Sequence, residues 1–585
     1  MRVFIDLMWY FREEKWRYGG GVLVLALVSM LSLLPPYVIG VIVDHIVNDT
    51  LTLAILFRWM SVLFALAVTV YILRYLWRIF IFGAAIRLAR QLRNKLYEHF
   101  SKMSSAFFQR RRTGDLMAHA TNDIRAIEMT AGAGILTLVD SITLGGFVVL
   151  TMALTISWKL TIIALLPMPL MAYATSKYGS MLHQRFGKAQ EAFSSLNDKV
   201  QESMSGIRVT KTFGYEAEEV ASFKQESDDV VEKNIQVAKV DALFDPTISL
   251  IVGCCFFLSI VFGARYVVAE ELTIGQLTSF TVYLGLLIWP MLAFGWLFNI
   301  VERGRASYDR VTRLLKAKQD IVDKPDAVAE PPKGELDFQI DSFSYQDGEE
   351  LVLRDIYFTL PLGATLGIAG RTGSGKTTLI KTLMRDFEIT NGRVLLEGRP
   401  LDDYSVEALR SSFGYVPQDH FLFSATIADN IAFAKPEADY KEIIAAAKLA
   451  AIHEDIVRFE DGYETVVGER GVTLSGGQKQ RISIARALLA DPEMLILDDS
   501  LSAVDAKTEE QILESLRTIR KGKTTLITAH RLSAMKHADL IIVLDHGEII
   551  ERGTHDSLMA LNGWYQRVYD HQQLESLVEK GGEPS

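Results

Sequence analysis

Cysteine is nearly absent. The two in 585 residues, Cys254 and Cys255, adjoin each other inside one apolar run. Adjacent thiols in such a place are neither a disulfide framework nor a metal site, and packing is the reading that fits them. A basic surplus is absent as well. The formal charge is −10, and no basic stripe runs through the C-terminal half, which argues against nucleic acid as a partner. No internal repeat or low-complexity tract interrupts the chain. A cleavable leader is not expected, because the first apolar run is too long and lacks a small-residue cleavage site.

What is abundant is apolar sequence, and it is unevenly placed. The chain is 49% hydrophobic, with a mean hydropathy of +0.18. Long apolar stretches fall near 19–43, 59–83, 135–156, 160–178, 247–269 and 275–299, all in the first half. Helices of about 20 such residues cross roughly 30 Å of hydrocarbon. Helices of a soluble core would each show a polar face, and these do not. The expectation is six membrane helices within residues 1–315.

Charge sets their orientation. The connection after 83 is long and basic, with Arg87, Arg90, Arg93, Lys95 and Arg110-Arg-Arg112, and that after 178 is also long and basic. The turns near 44–58, 157–159 and 270–274 are short and carry few Lys or Arg. The positive-inside rule therefore places the long connections, the N-terminus and the C-terminal half in the cytoplasm. Residues 1–17, which mix charge with Trp9, Tyr10, Phe11 and Trp16, read as an interfacial amphipathic helix. Pro35-Pro36 and Trp289-Pro290 predict kinks, and Asp245-Pro246 reads as an N-cap followed by a first-turn proline. Asp140, Arg74 and Arg78 all fall in the inner third of their spans. Either Asp140 pairs with one arginine, or both arginines snorkel and Asp140 bonds a hydroxyl.

Residues 316–335 are charged, contain proline and show no periodicity, so they read as a linker. Beyond them the pattern changes. The apolar run 364–369 reads as a buried strand, and Gly370-Arg371-Thr372-Gly373-Ser374-Gly375-Lys376-Thr377 follows directly. This is the strand-to-helix context that a P-loop requires. Its glycines turn backbone N–H groups onto phosphates, and a helix beginning at Thr378 aims its positive end at them. Lys376 meets the β/γ-phosphates of ATP, and the Thr377 hydroxyl is offered to Mg²⁺. Met494-Leu-Ile-Leu-Asp498 is a second buried strand ending in a carboxylate suited to the same Mg²⁺.

Leu474-Ser475-Gly476-Gly477-Gln478, followed by a helical run through Arg486, narrows the field: here the chain resembles the ATP-binding cassette (ABC) ATPases. The resemblance covers about residues 336–570. It implies that Leu474–Gln478 face the nucleotide held by a partner's cassette and that Tyr345 stacks on adenine. Gln418 would reach Mg²⁺ and sense the membrane part, and His530 would contact the γ-phosphate. Glu469 would lie in a segment placed against a cytoplasmic loop, and Ser502-Ala-Val-Asp505 between the two sites. Phe107–Met117 and Ile156–Leu160 resemble ABC exporters again, the first as a coupling helix.

The implied fold is a membrane all-α six-helix exporter-type domain followed by an α/β P-loop ABC ATPase domain at 336–575, with a tail at 576–585. The implied catalytic set is Asp499, His530 and Gln418, with Thr377, Gln418 and Asp498 on Mg²⁺. Members with fast sites carry glutamate after the magnesium aspartate. Asp499 is one methylene shorter, so the expectation is an attenuated site and a second, non-identical half-exporter as partner. Met152, Met168, Met171, Phe294 and Trp296, with few fixed intramembrane charges, point to lipophilic small-molecule cargo of the multidrug type. A lipid or peptide exporter, or an ATP-gated channel or sensor, are the other readings.

Overall fold

The structure is a computed structural model and describes residues 2–345, 350–468 and 474–581. Two compact units are present. Met1–Ser101 and Thr113–Ala317 form the first, and Lys102–Arg112 with Lys318–Ser585 form the second.

The described residues of the first unit form helices joined by short turns, with no strand among them. Five helical stretches are long and apolar enough to cross a membrane: Lys15–Val47, Leu53–Ser101, Thr113–Leu165, Glu216–Val268 and Ile274–Leu315. The expected fourth span, 160–178, is divided between Trp158–Leu165 and Met168–Ser205, with the break at Leu166-Pro167. The other prolines act at helix starts. Helices Lys15–Leu31 and Leu34–Val47 part just before Pro35 and Pro36, which then occupy the first turn, where a missing N–H leaves no bond unmade. Ile274–Leu286 likewise gives way to Ile288–Leu315 just ahead of Pro290.

Two local expectations are corrected. Asp245 is not an N-cap: helix Phe244–Val268 starts two residues earlier than that reading, after Leu243, with no side-chain cap. Asp245 instead lies in the first turn, where its carboxylate complements the positive helix end. Residues 1–17 are not one helix either, but Arg2–Asp6, Met8–Glu13 and the start of Lys15–Leu31. Val3, Leu7 and Tyr10 are buried in the protein, and Tyr10 donates to the Ala84 carbonyl at 2.7 Å, while Trp16 is 84% exposed.

Two polar clamps tie the helices together. Asp44 accepts from the Gly275 N–H at 2.8 Å and the Thr273 hydroxyl at 2.7 Å. The two helices cross so closely there that a Cβ on Gly275 would stand 2.0 Å from the Gly40 carbonyl oxygen. Small residues at such crossings let backbones meet. Nearer the basic connections, buried Asp123 accepts from Ser307 Oγ at 2.8 Å and Arg310 Nε at 3.0 Å, and bonds His119 Nδ1 at 2.6 Å. Asp140 is half-buried, and Arg74 reaches it as a charge rather than as a bonded partner.

The second unit holds two sheets among its described residues. The smaller is antiparallel, in the order β2 (Leu353–Leu360), β1 (Leu336–Phe343), β4 (Asn391–Leu396), β5 (Arg399–Pro400). The larger runs β10 (Glu548–Gly553), β9 (Leu540–Asp545), β3 (Thr365–Gly370), β8 (Thr524–Thr528), β7 (Met494–Asp498), β6 (Phe413–Val416). Only β10 is antiparallel in it.

Both faces of the parallel strands are covered. Met494 and Ile496 of β7 join the core shared with the small sheet, while Leu495 and Leu497 join the core under the Gly476–Leu489 helix. A strand buried on both faces needs a continuous apolar run, which is why β7 shows no alternation. Segment 102–112 packs with this unit. Its short helix Ser105–Gln109 inserts Ala106 into the small-sheet core, Ser104 donates to Asp320 at 2.7 Å, and Ser105 bonds Asp386. Residues read as a linker also lie against this unit: Lys324 bridges Asp402 and Asp403, each at 2.6 Å, and Val328 pairs with Tyr404.

Candidate functional site

Ligands of open parallel sheets gather outside the carboxyl ends of the strands. β3, β7 and β8 are neighbours there. β3 delivers the P-loop, β7 delivers Asp498 and Asp499, and β8 delivers Thr528 and then His530.

The loop after β3 can be built only with glycine. Gly370, Gly373 and Gly375 have φ of 146°, 83° and 100°, and a Cβ at Gly370 would lie 2.3 Å from the Leu544 carbonyl oxygen. The helix that follows spans Lys376–Leu383, two residues earlier than the sequence suggested, because Gly375 makes the turn in a single left-handed step. Lys376 is folded onto its own loop and donates to the carbonyls of Gly370 at 2.8 Å and Arg371 at 2.9 Å. Burial lowers its ammonium pKa, and the carboxylates of Asp499 and Asp498 act against that. Ser374 Oγ is buried without a hydrogen-bond partner. A glycine-lined cradle with one unpaired hydroxyl and a lysine held by weak carbonyl acceptors fits the phosphates of ATP.

Asp498 is held by three hydroxyls. Thr528 Oγ1 donates to its Oδ1 at 2.8 Å, Thr377 Oγ1 to the same atom at 3.2 Å, and the Tyr415 hydroxyl to Oδ2 at 3.3 Å. Burial and the Asp498 charge raise the Tyr415 pKa, so the phenol stays a donor. Among the described residues no cluster of three His, Cys, Asp or Glu forms a metal cage. The pairing of Thr377 with Asp498 still fits Mg²⁺, which takes one or two protein ligands alongside phosphates.

Asp499 has φ 47°, in the left-handed region, and its N–H is fixed by the Thr528 carbonyl at 3.0 Å and Thr528 Oγ1 at 2.9 Å. Its Oδ2 meets Gln418 Nε2 at 3.4 Å and stands 3.7 Å from His530 Nε2. Burial raises its carboxyl pKa, with His530 pulling the other way. Gln418, Asp499 and His530 therefore converge. Tyr345 belongs to an aromatic group with Phe343 and Phe387, and its hydroxyl lies 2.7 Å from Thr378 Oγ1 on the P-loop helix.

The Leu474–Gln478 segment opens a helix of its own. Ser475 caps Gly476–Leu489 in a reciprocal box with Gln478, at 3.3 and 3.0 Å. Gly477 lies so near the next loop that a Cβ would stand 2.8 Å from the Ala503 carbonyl oxygen, and Gln480 accepts from the Ala503 N–H at 3.1 Å. Asp455 holds Gln478 at 3.2 Å and Arg481 at 2.8 Å. No hydrogen bond among the described residues joins this segment to the P-loop. Glu469 lies outside the described residues, as does the Phe294 side chain.

Sequence reasoning missed Thr528, Tyr415, Asp455 and Gln480. Thr528 ends β8 and Tyr415 lies in β6, two and three residues before His530 and Gln418, so their hydroxyls were findable. Asp455 and Gln480 carry no local signal.

The profile of the ABC transporter transmembrane region matches residues 19–291, and that of the ABC transporter matches 353–502. The chain is similar to the "Multidrug resistance-like ATP-binding protein MdlA" of Escherichia coli, 48% identical over 100% of this chain and 99% of that one. It is also similar to the "Probable multidrug resistance ABC transporter ATP-binding/permease protein YheI" of Bacillus subtilis, 47% identical over 98% of each. Among solved structures, a bacterial Atm1-family ABC exporter with ATP bound superposes with a TM-score of 0.80, at 26% identity, covering 95% of this chain and 98% of that one.

Proposed function

The chain belongs to the ABC transporter family as a multi-pass membrane exporter with its own ATPase domain, and from that premise we propose that it is one half of a heterodimeric exporter of lipophilic compounds. The observation that carries the proposal is Asp499. Its carboxylate is one methylene short of a glutamate, and misplacement of a base by about 1 Å can slow a reaction on the order of 10²-fold. This chain's site is then a slow one.

In that reading Lys376 exchanges its two loop carbonyls for phosphate oxygens of ATP, and the Ser374 hydroxyl gains an acceptor. Thr377, Asp498 and Gln418 would hold Mg²⁺, which neutralises phosphate charge when bound. Tyr345 turns from Phe343 and Phe387 to the adenine face. His530 donates to the γ-phosphate, and Asp499 orients water weakly. The capped N-terminus at Ser475–Gly477 offers its N–H groups and positive dipole to the nucleotide of the partner. The partner's site, with its own glutamate and this chain's signature, is the fast one. ATP-driven closure of two cassettes would be transmitted through the coupling segment at 102–112 to six membrane helices. The multidrug wording of the two relatives supports lipophilic cargo. Sparse intramembrane charge gives a channel with charged rings no support.

The test compares ATPase rates of this chain alone and with a candidate partner. Replacing the partner's catalytic Glu by Gln is expected to nearly abolish turnover of the pair, while Asp499→Asn reduces it far less. Vigorous ATPase from this chain alone, lost on Asp499→Asn, would overturn the heterodimer and make Asp499 a competent base.

A further inference from the structure

Within the first unit a cavity of about 780 Å³ opens between helices Met168–Ser205, Phe244–Val268 and Ile288–Leu315. That volume falls in the range of small-molecule sites. Its wall is apolar and soft: Met171, Leu182, Phe244, Met291 and Trp296. Methionine adapts to varied shapes, and aromatic faces attract cations. The polar lining is sparse. Thr175 already spends its hydroxyl on the Met171 carbonyl at 2.8 Å.

One lining residue is charged. Asp241 ends helix Glu216–Asp241, and its carboxylate has neither a hydrogen-bond nor an ion-pair partner among the described residues. Among the described residues no Lys, Arg or His lines the cavity with it. The net charge of the described lining is therefore a single minus, in a wall that also holds the Trp296 indole and the Phe244 and Phe298 rings.

We propose that Asp241 makes this cavity a charge-selective cargo site, one that takes a lipophilic monocation and disfavours the anion of the same shape. The inference rests on the reading of lipophilic export and adds to it the sign of the charge and the residue that reads it. Trp296 supplies the face on which the cation packs, and Asp241 the counter-charge. Because Asp241 is solvent-exposed, its contribution is the modest one of a screened ion pair.

The test uses the full chain in lipid nanodiscs and three probes of near-equal shape: tetraphenylphosphonium, tetraphenylborate and neutral triphenylphosphine oxide. Binding is measured by equilibrium dialysis, with uptake by empty discs subtracted. Wild type is expected to prefer the cation over the neutral probe by about fivefold. Asp241→Asn should erase that preference while leaving the neutral probe and ATP-analogue binding unchanged. Asp241→Lys should turn the preference toward the borate, and Trp296→Ala should weaken cation and neutral probe together. Equal binding of cation and neutral probe by wild type would overturn charge selection while leaving lipophilic cargo standing. Failure of every probe would remove both readings. An Asp241→Asn variant that keeps the cation preference, or loss of the cation when a partner half-exporter is added, would sink the site itself.

Discussion

At Asp499 two physical demands meet in one residue. The backbone leaves β7 through a left-handed conformation, φ 47°, which aspartate tolerates better than most side chains because it can hydrogen-bond locally. The carboxylate is then buried beside Asp498, with His530 and Lys376 as its compensating charges. Its pKa is raised, so folding shifts the carboxyl toward its protonated form relative to the unfolded chain. The stability this preference adds is present below the ordinary value of 3.8 and is lost as pH rises through the raised one. At neutral pH the ionised group is a burden, on the order of 1 kcal/mol once partial compensation is allowed for. Asp499→Asn is therefore expected to raise the melting temperature of the nucleotide-free protein by about 2 °C at pH 7.5. Below about pH 4 the gain should vanish. Thermal scans of both proteins across that range check it, and a destabilised Asn variant at pH 7.5 would contradict the burial argument. The letter at 499 was readable in the sequence. Its φ, and the Thr528 contacts that impose it, were not, since Thr528 lies on another strand.

Elements divide along the same line. Strands β3 and β7 were legible because burial on both faces demands an unbroken apolar run, and a motif followed each. The Asp245 cap was misread because Asp-Pro suits two positions of a helix start, and only the backbone distinguishes them. The clamp around Asp123 was invisible, since its partners Ser307 and Arg310 lie far along the chain on helix Ile288–Leu315. That clamp joins two helices through a charge-assisted, largely buried carboxylate, and hydrogen bonds to charged groups contribute about 1.5–3 kcal/mol. Asp123→Asn keeps the shape and removes the charge. It should lower detergent-solubilised stability by about 2 kcal/mol, and Arg310→Met in the same chain should recover part of the loss. Strictly additive losses in that cycle would show that the two side chains act independently.

On the scale of the whole molecule, two units were legible from composition alone, since membrane spans and a soluble α/β sheet draw on different residues. What composition hid is that the boundary does not run where the chain crosses it. Segment 102–112, embedded in the sequence of the first unit, is structurally a piece of the second, with Ala106 inside its core and Ser104 and Ser105 on Asp320 and Asp386. A cassette produced by itself from residue 318 onward is thus a domain with a plug missing. It should expose apolar surface and lose solubility, and a peptide spanning 102–112 added in trans should restore it, while the same peptide with Ala106→Asp should not. A fully soluble, equally stable isolated cassette would show the plug to be dispensable. If the plug matters, this ATPase reaches its finished form only after the first membrane helices have already been made and threaded, so biogenesis runs through the bilayer before it reaches the enzyme.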